Sequence, residues 1–274
     1  APDFGINIEY IKGERFFFPY LIGIIFNLGF GDLYLLYQVT SIILVIILIF
    51  LFHEILILSK IDKYTIYIAL LLVIFNPYLI RYYLAVPTIV IDLCFIISLE
   101  IISLGFLKKQ KKFLYLGLIL AALSRQNSII ILFVFFLLKF FFKDKSIFKY
   151  IDLSLISILF AAIFCLNTFY AINSSGDIKE VENLYFTTLF GILIINYSLI
   201  DLFKYLYFPL LGFGPLIAFI LMMFHLKKFV FKNSELILFY CLVSLLLIGI
   251  AFVGGPNTTG KNLIRLANFA YIYL

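Results

Sequence analysis

Residues 32–58 read DLYLLYQVTSIILVIILIFLFHEILIL, a run that carries no Lys or Arg and, after Asp32, one carboxylate, Glu54, near its end. Its apolar residues follow one another without period-two alternation. The segment therefore reads as a helix, and it exceeds the roughly 20 residues that span the hydrocarbon of a bilayer. The rest of the chain has the same character. Of 274 residues, 65% are hydrophobic and 13% charged, with 34 Phe, 19 Tyr and a mean hydropathy of +1.16; an average soluble domain has about 45–50% and about 25%. A water-soluble fold has too little interior to hide that much apolar surface. Long unbroken runs also exclude an outer-membrane barrel, whose lumen-facing positions would alternate as polar residues. The expectation is an all-α, polytopic transmembrane helical bundle, a single domain over residues 1–274.

Working outward from 32–58, further candidate spans lie near 64–80, 87–107, 113–124, 127–142, 150–171, 206–224 and 236–253, with a ninth starting at 264. The absence of an initiator Met and the abrupt stop after Arg265 to Leu274 give the expectation of a fragment truncated at both ends. Cys94, Cys165 and Cys241 are far apart within apolar runs and read as small core residues rather than metal ligands or a disulfide framework. Lysines cluster in four short segments: Lys60 and Lys63; Lys108, Lys109, Lys111 and Lys112; Lys139, Lys143, Lys145 and Lys149; Lys227, Lys228 and Lys232. The positive-inside rule makes all four cytoplasmic. They can share one side only if the apolar stretches 16–30 and 186–200 do not cross, so these read as external re-entrant or interfacial helices. The external side then holds 1–31, the 81–86 and 124–127 turns, 172–205 and 255–263.

The basic residues sort by type on this topology. The thirteen cytoplasmic ones are all Lys, whereas all four arginines, Arg15, Arg81, Arg125 and Arg265, are external. Lysine serves as a point charge that sets topology, while an arginine fork grips phosphate or carboxylate through two parallel hydrogen bonds. Arg125 is singled out by depth: the flanking segments 113–124 and 127–142 are about 18 and 24 Å long as helices, against a core of about 30 Å. Their turn must lie below the external surface, in a recess walled by protein. Asp92, about one turn after Thr88, is a second charge within a span, either a substrate-site acid or a salt-bridge partner of Arg81 or Arg125. Glu54, His53 and Asp152 read as interfacial, and Glu100 is deeper, with no role legible. The first external segment contributes Asp3, Glu9 and Glu14, carboxylates with the chemistry for general-base work beside a phosphate-binding recess.

The order of these features resembles the C-type (GT-C) polytopic glycosyltransferases, the superfamily of protein O-mannosyltransferases and lipid A aminoarabinose transferases. The residues that carry the resemblance are Asp3 in the first loop, the Pro-led start Phe18-Pro19-Tyr20-Leu21, the Gly29-Phe30-Gly31-Asp32 turn and the long helix 33–58. Further along come Asn76-Pro77, Thr88 with Asp92, the Lys108 to Lys112 loop, Ser124-Arg125 at a hairpin tip, and Gly260-Lys261-Asn262-Leu263-Ile264-Arg265 before a late helix. It covers nearly the whole chain as an ordered pattern rather than a strict motif. The paired acids of the family's first loop are absent, Pro19 is single, and the family's larger soluble domain is missing or truncated.

The resemblance implies transfer of a sugar from a polyprenyl-phosphate donor to a glycan, lipid or protein acceptor on the external face of a bacterial cytoplasmic membrane. Asp3 would be the catalytic base, with Glu9 as the alternative, and Arg125, Arg265, Arg81, Arg15 and Lys261 would hold the donor phosphate. No cofactor or metal is expected, since no external carboxylate cluster offers several oxygen ligands at fixed spacing, and no nucleic-acid partner is expected. Two rivals share parts of this pattern. A lipid-linked oligosaccharide flippase or transporter would also use short helices and buried charge, and a polysaccharide polymerase would use external arginines and a long external loop, for which 172–205 is a modest candidate.

Overall fold

A computed structural model describes residues 17–29, 32–75, 90–124, 128–142, 149–175 and 234–253. Within them the chain is all-α, with no strand among the described residues. The helices are α1 (Phe17–Asn27), α2 (Leu33–Leu58), α3 (Lys63–Ile74), α4 (Val90–Lys108), α5 (Lys111–Ser124), α6 (Ile129–Phe142), α7 (Tyr150–Ser175) and α8 (Ser234–Val253). The expected segments 186–200, 206–224 and the one starting at 264 lie outside the described residues.

Local chemistry sets the helix ends. Asp32 caps α2 by accepting from the Tyr34 N–H at 3.2 Å, and Asp62 caps α3 by accepting from the Thr65 N–H at 3.0 Å and the Thr65 hydroxyl at 2.7 Å. At the other end of α2, Lys60 turns left-handed (φ 59°); its N–H donates to the Ile57 carbonyl and that of Ile61 to the Leu56 carbonyl, at 2.9 and 3.3 Å. The end of α4 repeats this closure with Lys109 at φ 53°, through bonds from Lys109 to Phe106 and from Gln110 to Gly105. Both are Schellman caps with lysine where glycine is the usual occupant.

The centre of the molecule is α4. From Leu93 to Phe106 nearly every side chain is buried, as expected of a helix apolar all round its circumference. It packs most extensively against α5, then against α2, and also meets α8. Glycines make the α4–α5 approach possible. A methyl group added at Gly117 would lie 2.7 Å from the Ser98 carbonyl oxygen and 2.6 Å from the Ile102 side chain, and one added at Gly105 would lie 2.6 Å from the Leu114 side chain. Toward one end, Phe106 of α4, Phe135 of α6 and Phe239 of α8 form a ring cluster with centroids 5.4 to 5.8 Å apart.

The outer helix α2 is two-faced. Ser41, Val45, Leu48, Ile55 and Leu56 are buried, while Ile42, Ile43, Ile46, Ile47 and Phe50 form a bare apolar stripe on the other side. Among the described residues α2 is the one helix that is by itself both long and apolar enough to cross a bilayer. The α1 helix has 11 residues, about 16 Å of length, and so falls well short of a bilayer core.

Several expectations are corrected. The helices flanking the 125–127 turn are 14 residues each, not 12 and 16, because the helical ends shift by about two residues. Cys94 is buried, but Cys165 and Cys241 are exposed. Lys139, assigned to a loop cluster, belongs to the last turn of α6, where it is buried with its Nζ 5.1 Å from the centre of the Tyr150 ring.

Candidate functional site

The helices have two chemically distinct ends. At one, Glu54 of α2 pairs with Lys108 of α4 at 3.0 Å, and Lys111 of α5 pairs with Asp152 of α7 at 2.5 Å. Asp152 also accepts from the Tyr115 hydroxyl and from the Lys149 N–H, each at 2.8 Å. Burial alone would raise this carboxyl, but the donors from Lys111, Lys149 and Tyr115 hold it down at about 2. These contacts draw three of the four lysine clusters to a single end; Lys227, Lys228 and Lys232 lie outside the described residues.

The opposite end is where the chain sequence places its site chemistry. The contacts of Gly105 with Leu114 and of Gly117 with Ile102 and Ser98 fix an antiparallel register between α4 and α5. Carried along both helices, that register brings the start of α4, with Asp92 as its third residue, level with Ser124 at the end of α5. Ser124 is fully buried and Ser128, just before α6, is 2% exposed, so the two residues that bracket positions 125–127 are both enclosed by protein. Ser124 is satisfied locally, donating to the Leu120 carbonyl at 2.5 Å. The same end receives α1: Ile22 and Cys94 are buried together, with Leu33, Leu36 and Tyr37 packed against them.

Asp3, Glu9, Arg15, Arg81, Arg125, Lys261 and Arg265 lie outside the described residues, as does the side chain of Asp92. Among the described residues, no group of three or more His, Cys, Asp or Glu side chains could hold a metal ion.

A feature that sequence reasoning left without a role lies midway between the ends. Glu100 of α4 is wholly buried, and neither carboxylate oxygen has a hydrogen-bond partner among the described residues. One turn on, Ser103 donates to the Leu99 carbonyl at 2.7 Å and shares a short contact with the Tyr240 hydroxyl of α8. The single Ser103 proton is spent on Leu99, so Tyr240 is the donor in that pair. An acid inside an apolar run was the available signal for Glu100; its neighbour on α8 is distant in sequence and carries none.

Compared with protein-family models, with curated proteins and with solved structures, the chain matches none.

Proposed function

We propose that this chain is a polytopic membrane glycosyltransferase of the C type, transferring a sugar from a polyprenyl-phosphate donor to an acceptor on the external side of a bacterial cytoplasmic membrane. The observation that carries the reading is the shortness of α5 and α6 together with the burial of Ser124 and Ser128 at their facing ends. Two 14-residue helices, each about 21 Å long, are too short for a core of about 30 Å. Their lower ends belong to the lysine-rich side, so their facing ends, at the buried Ser124 and Ser128, fall inside the bilayer's depth. The backbones of α4, α7 and α8, at 19, 26 and 20 residues, have the length to cross, and the bare stripe of α2 calls for lipid.

In this reading the Arg125 fork, with Arg265, Arg81, Arg15 and Lys261, stabilises the departing lipid phosphate. Asp3, or Glu9 in its place, takes the proton of the acceptor hydroxyl. Asp92, on α4 level with Ser124, orients Arg125 or the sugar. The test is donor consumption by the reconstituted protein supplied with a polyprenyl-phosphate sugar. Asp3→Asn is expected to lower turnover by about 10²-fold or more, and Arg125→Lys, which keeps charge but loses the fork, by on the order of tenfold. Turnover unchanged in Asp3→Asn and in Glu9→Gln would remove the acid from both positions.

Glu100 favours a second reading. An unpaired acid buried at mid-length of the central helix is what a flippase or transporter places on its ion or substrate path. Movement of a labelled lipid-linked sugar across the vesicle wall without cleavage of its phosphate bond, abolished by Glu100→Gln, would select that reading over transfer.

A further inference from the structure

The lysine-rich end holds a groove that sugar transfer does not use. His53 and Ile57 are one turn apart on α2, and Lys63, Ile66 and Tyr67 share a face at the start of α3. The two faces meet across the Ser59–Asp62 turn, and with Ile61 they enclose a space of about 310 Å³. The Lys63 Nζ lies 5.8 Å from the centre of the Tyr67 ring, which steadies a cation at the rim.

The charges around this groove are unbalanced. Of the neighbouring acids, Glu54 reaches across to Lys108, which leaves the exposed Asp62, the cap of α3, as one carboxylate beside Lys60 and Lys63. Lys63 and the His53 imidazole face the space, and Lys60 stands beside it on the left-handed turn. Outside the polar rim the walls are apolar. Ile57, Tyr67, Ile68 and Leu71 are each about half exposed and continue the bare surface along α2 and α3. A ligand that suits this place has an anionic head to sit between His53 and Lys63 and a hydrocarbon tail to lie against those side chains.

We infer that the groove between α2 and α3 is a binding site for the phosphate headgroup of an anionic phospholipid from the cytoplasmic leaflet, with Lys63, His53 and Tyr67 as its contacts. The inference rests on the membrane reading above, but not on sugar transfer. The apolar walls favour a lipid over a free phosphate, because inorganic phosphate would leave them uncovered, while basic grooves between helices at this level are where anionic headgroups are drawn.

The test uses the full chain in phosphatidylcholine vesicles with and without phosphatidylglycerol, followed by native mass spectrometry of the lipids that stay bound. Phosphatidylglycerol is expected to be retained in preference to phosphatidylcholine, and Lys63→Gln to weaken that preference about fivefold, the effect of one basic side chain near an anionic surface. Lys63→Arg should keep it. Lys112→Gln removes the same charge from the same end away from the groove, and should leave the preference intact. Equal losses in Lys63→Gln and Lys112→Gln would reduce the effect to diffuse surface charge and overturn the site. Displacement of phosphatidylglycerol by millimolar inorganic phosphate would overturn the lipid as occupant. Extraction of the chain from vesicles by alkaline carbonate would instead overturn the membrane reading, an outcome distinct from a chain that inserts but shows no lipid preference.

Discussion

A methyl group at position 117 has nowhere to go. The Ser98 carbonyl oxygen at 2.7 Å is backbone and cannot yield without moving α4, so Gly117→Ala is expected to cost about 1–3 kcal/mol, read as a lower thermal midpoint in detergent. Gly105→Ala meets the Leu114 Cγ and Cδ2 at 2.6 Å with the Leu114 backbone N behind them at 3.0 Å, and should also destabilise. The lysine caps predict the opposite sign. Lys109 holds a left-handed backbone that costs an L-residue about 1–2 kcal/mol, so Lys109→Gly should stabilise the chain by about 0.5–1 kcal/mol once the extra freedom of glycine in the unfolded state is deducted. None of this was legible in the sequence. Lys60 and Lys109 were read as charges that set sidedness, because a lysine gives no sign of a positive φ. Glu100 was recognisable as an acid out of place, but its surroundings depend on Ser103 meeting Tyr240, 137 positions along the chain.

Helices were the most legible scale. The long run ending at Leu58 emerged with the expected boundaries, since an uninterrupted apolar stretch between Asp32 and the Ser59-Lys60 turn leaves a single solution. Within the stretch 16–30 the described helix is the 11-residue α1. Less legible was which helix is enclosed. Both α2 and α4 are apolar all round in sequence, and what distinguishes them is that α4 has neighbours on each side whereas α2 has them on one. The tie between α5 and α7 carries an expectation about pH. Asp152 lies at about 2 against an ordinary 3.8, so its contribution to stability is complete above about pH 4 and lost as pH falls toward 2. Wild type and Asp152→Asn should therefore differ by a constant amount above about pH 4 and converge below it. The difference should not exceed about 1 kcal/mol, because Lys111 is partly exposed.

At the scale of the molecule, charge sorting in the sequence puts the lysine clusters on one side of a membrane, and among the described residues the ion pairs Glu54–Lys108 and Lys111–Asp152 tie α2 to α4 and α5 to α7. The membrane reading adds an orientation, which predicts that a cysteine introduced at Gln110 in a background lacking Cys94, Cys165 and Cys241 is modified by an impermeant thiol reagent only after the cell is opened. Modification in intact cells would reverse the topology. The candidate site was legible as residue types and not as an assembly, because a phosphate clamp is drawn from segments far apart in the chain, and spacing alone cannot say that Arg125 meets Arg265 or that Asp3 turns toward either. The sealing of α4 by its neighbours also bears on how the fold comes apart. Its amide hydrogens are the last to be reached, so exchange with heavy water should begin at α1 and α3, spread to the outer half of α2, and arrive at Leu93 to Phe106 only when the bundle opens as a whole.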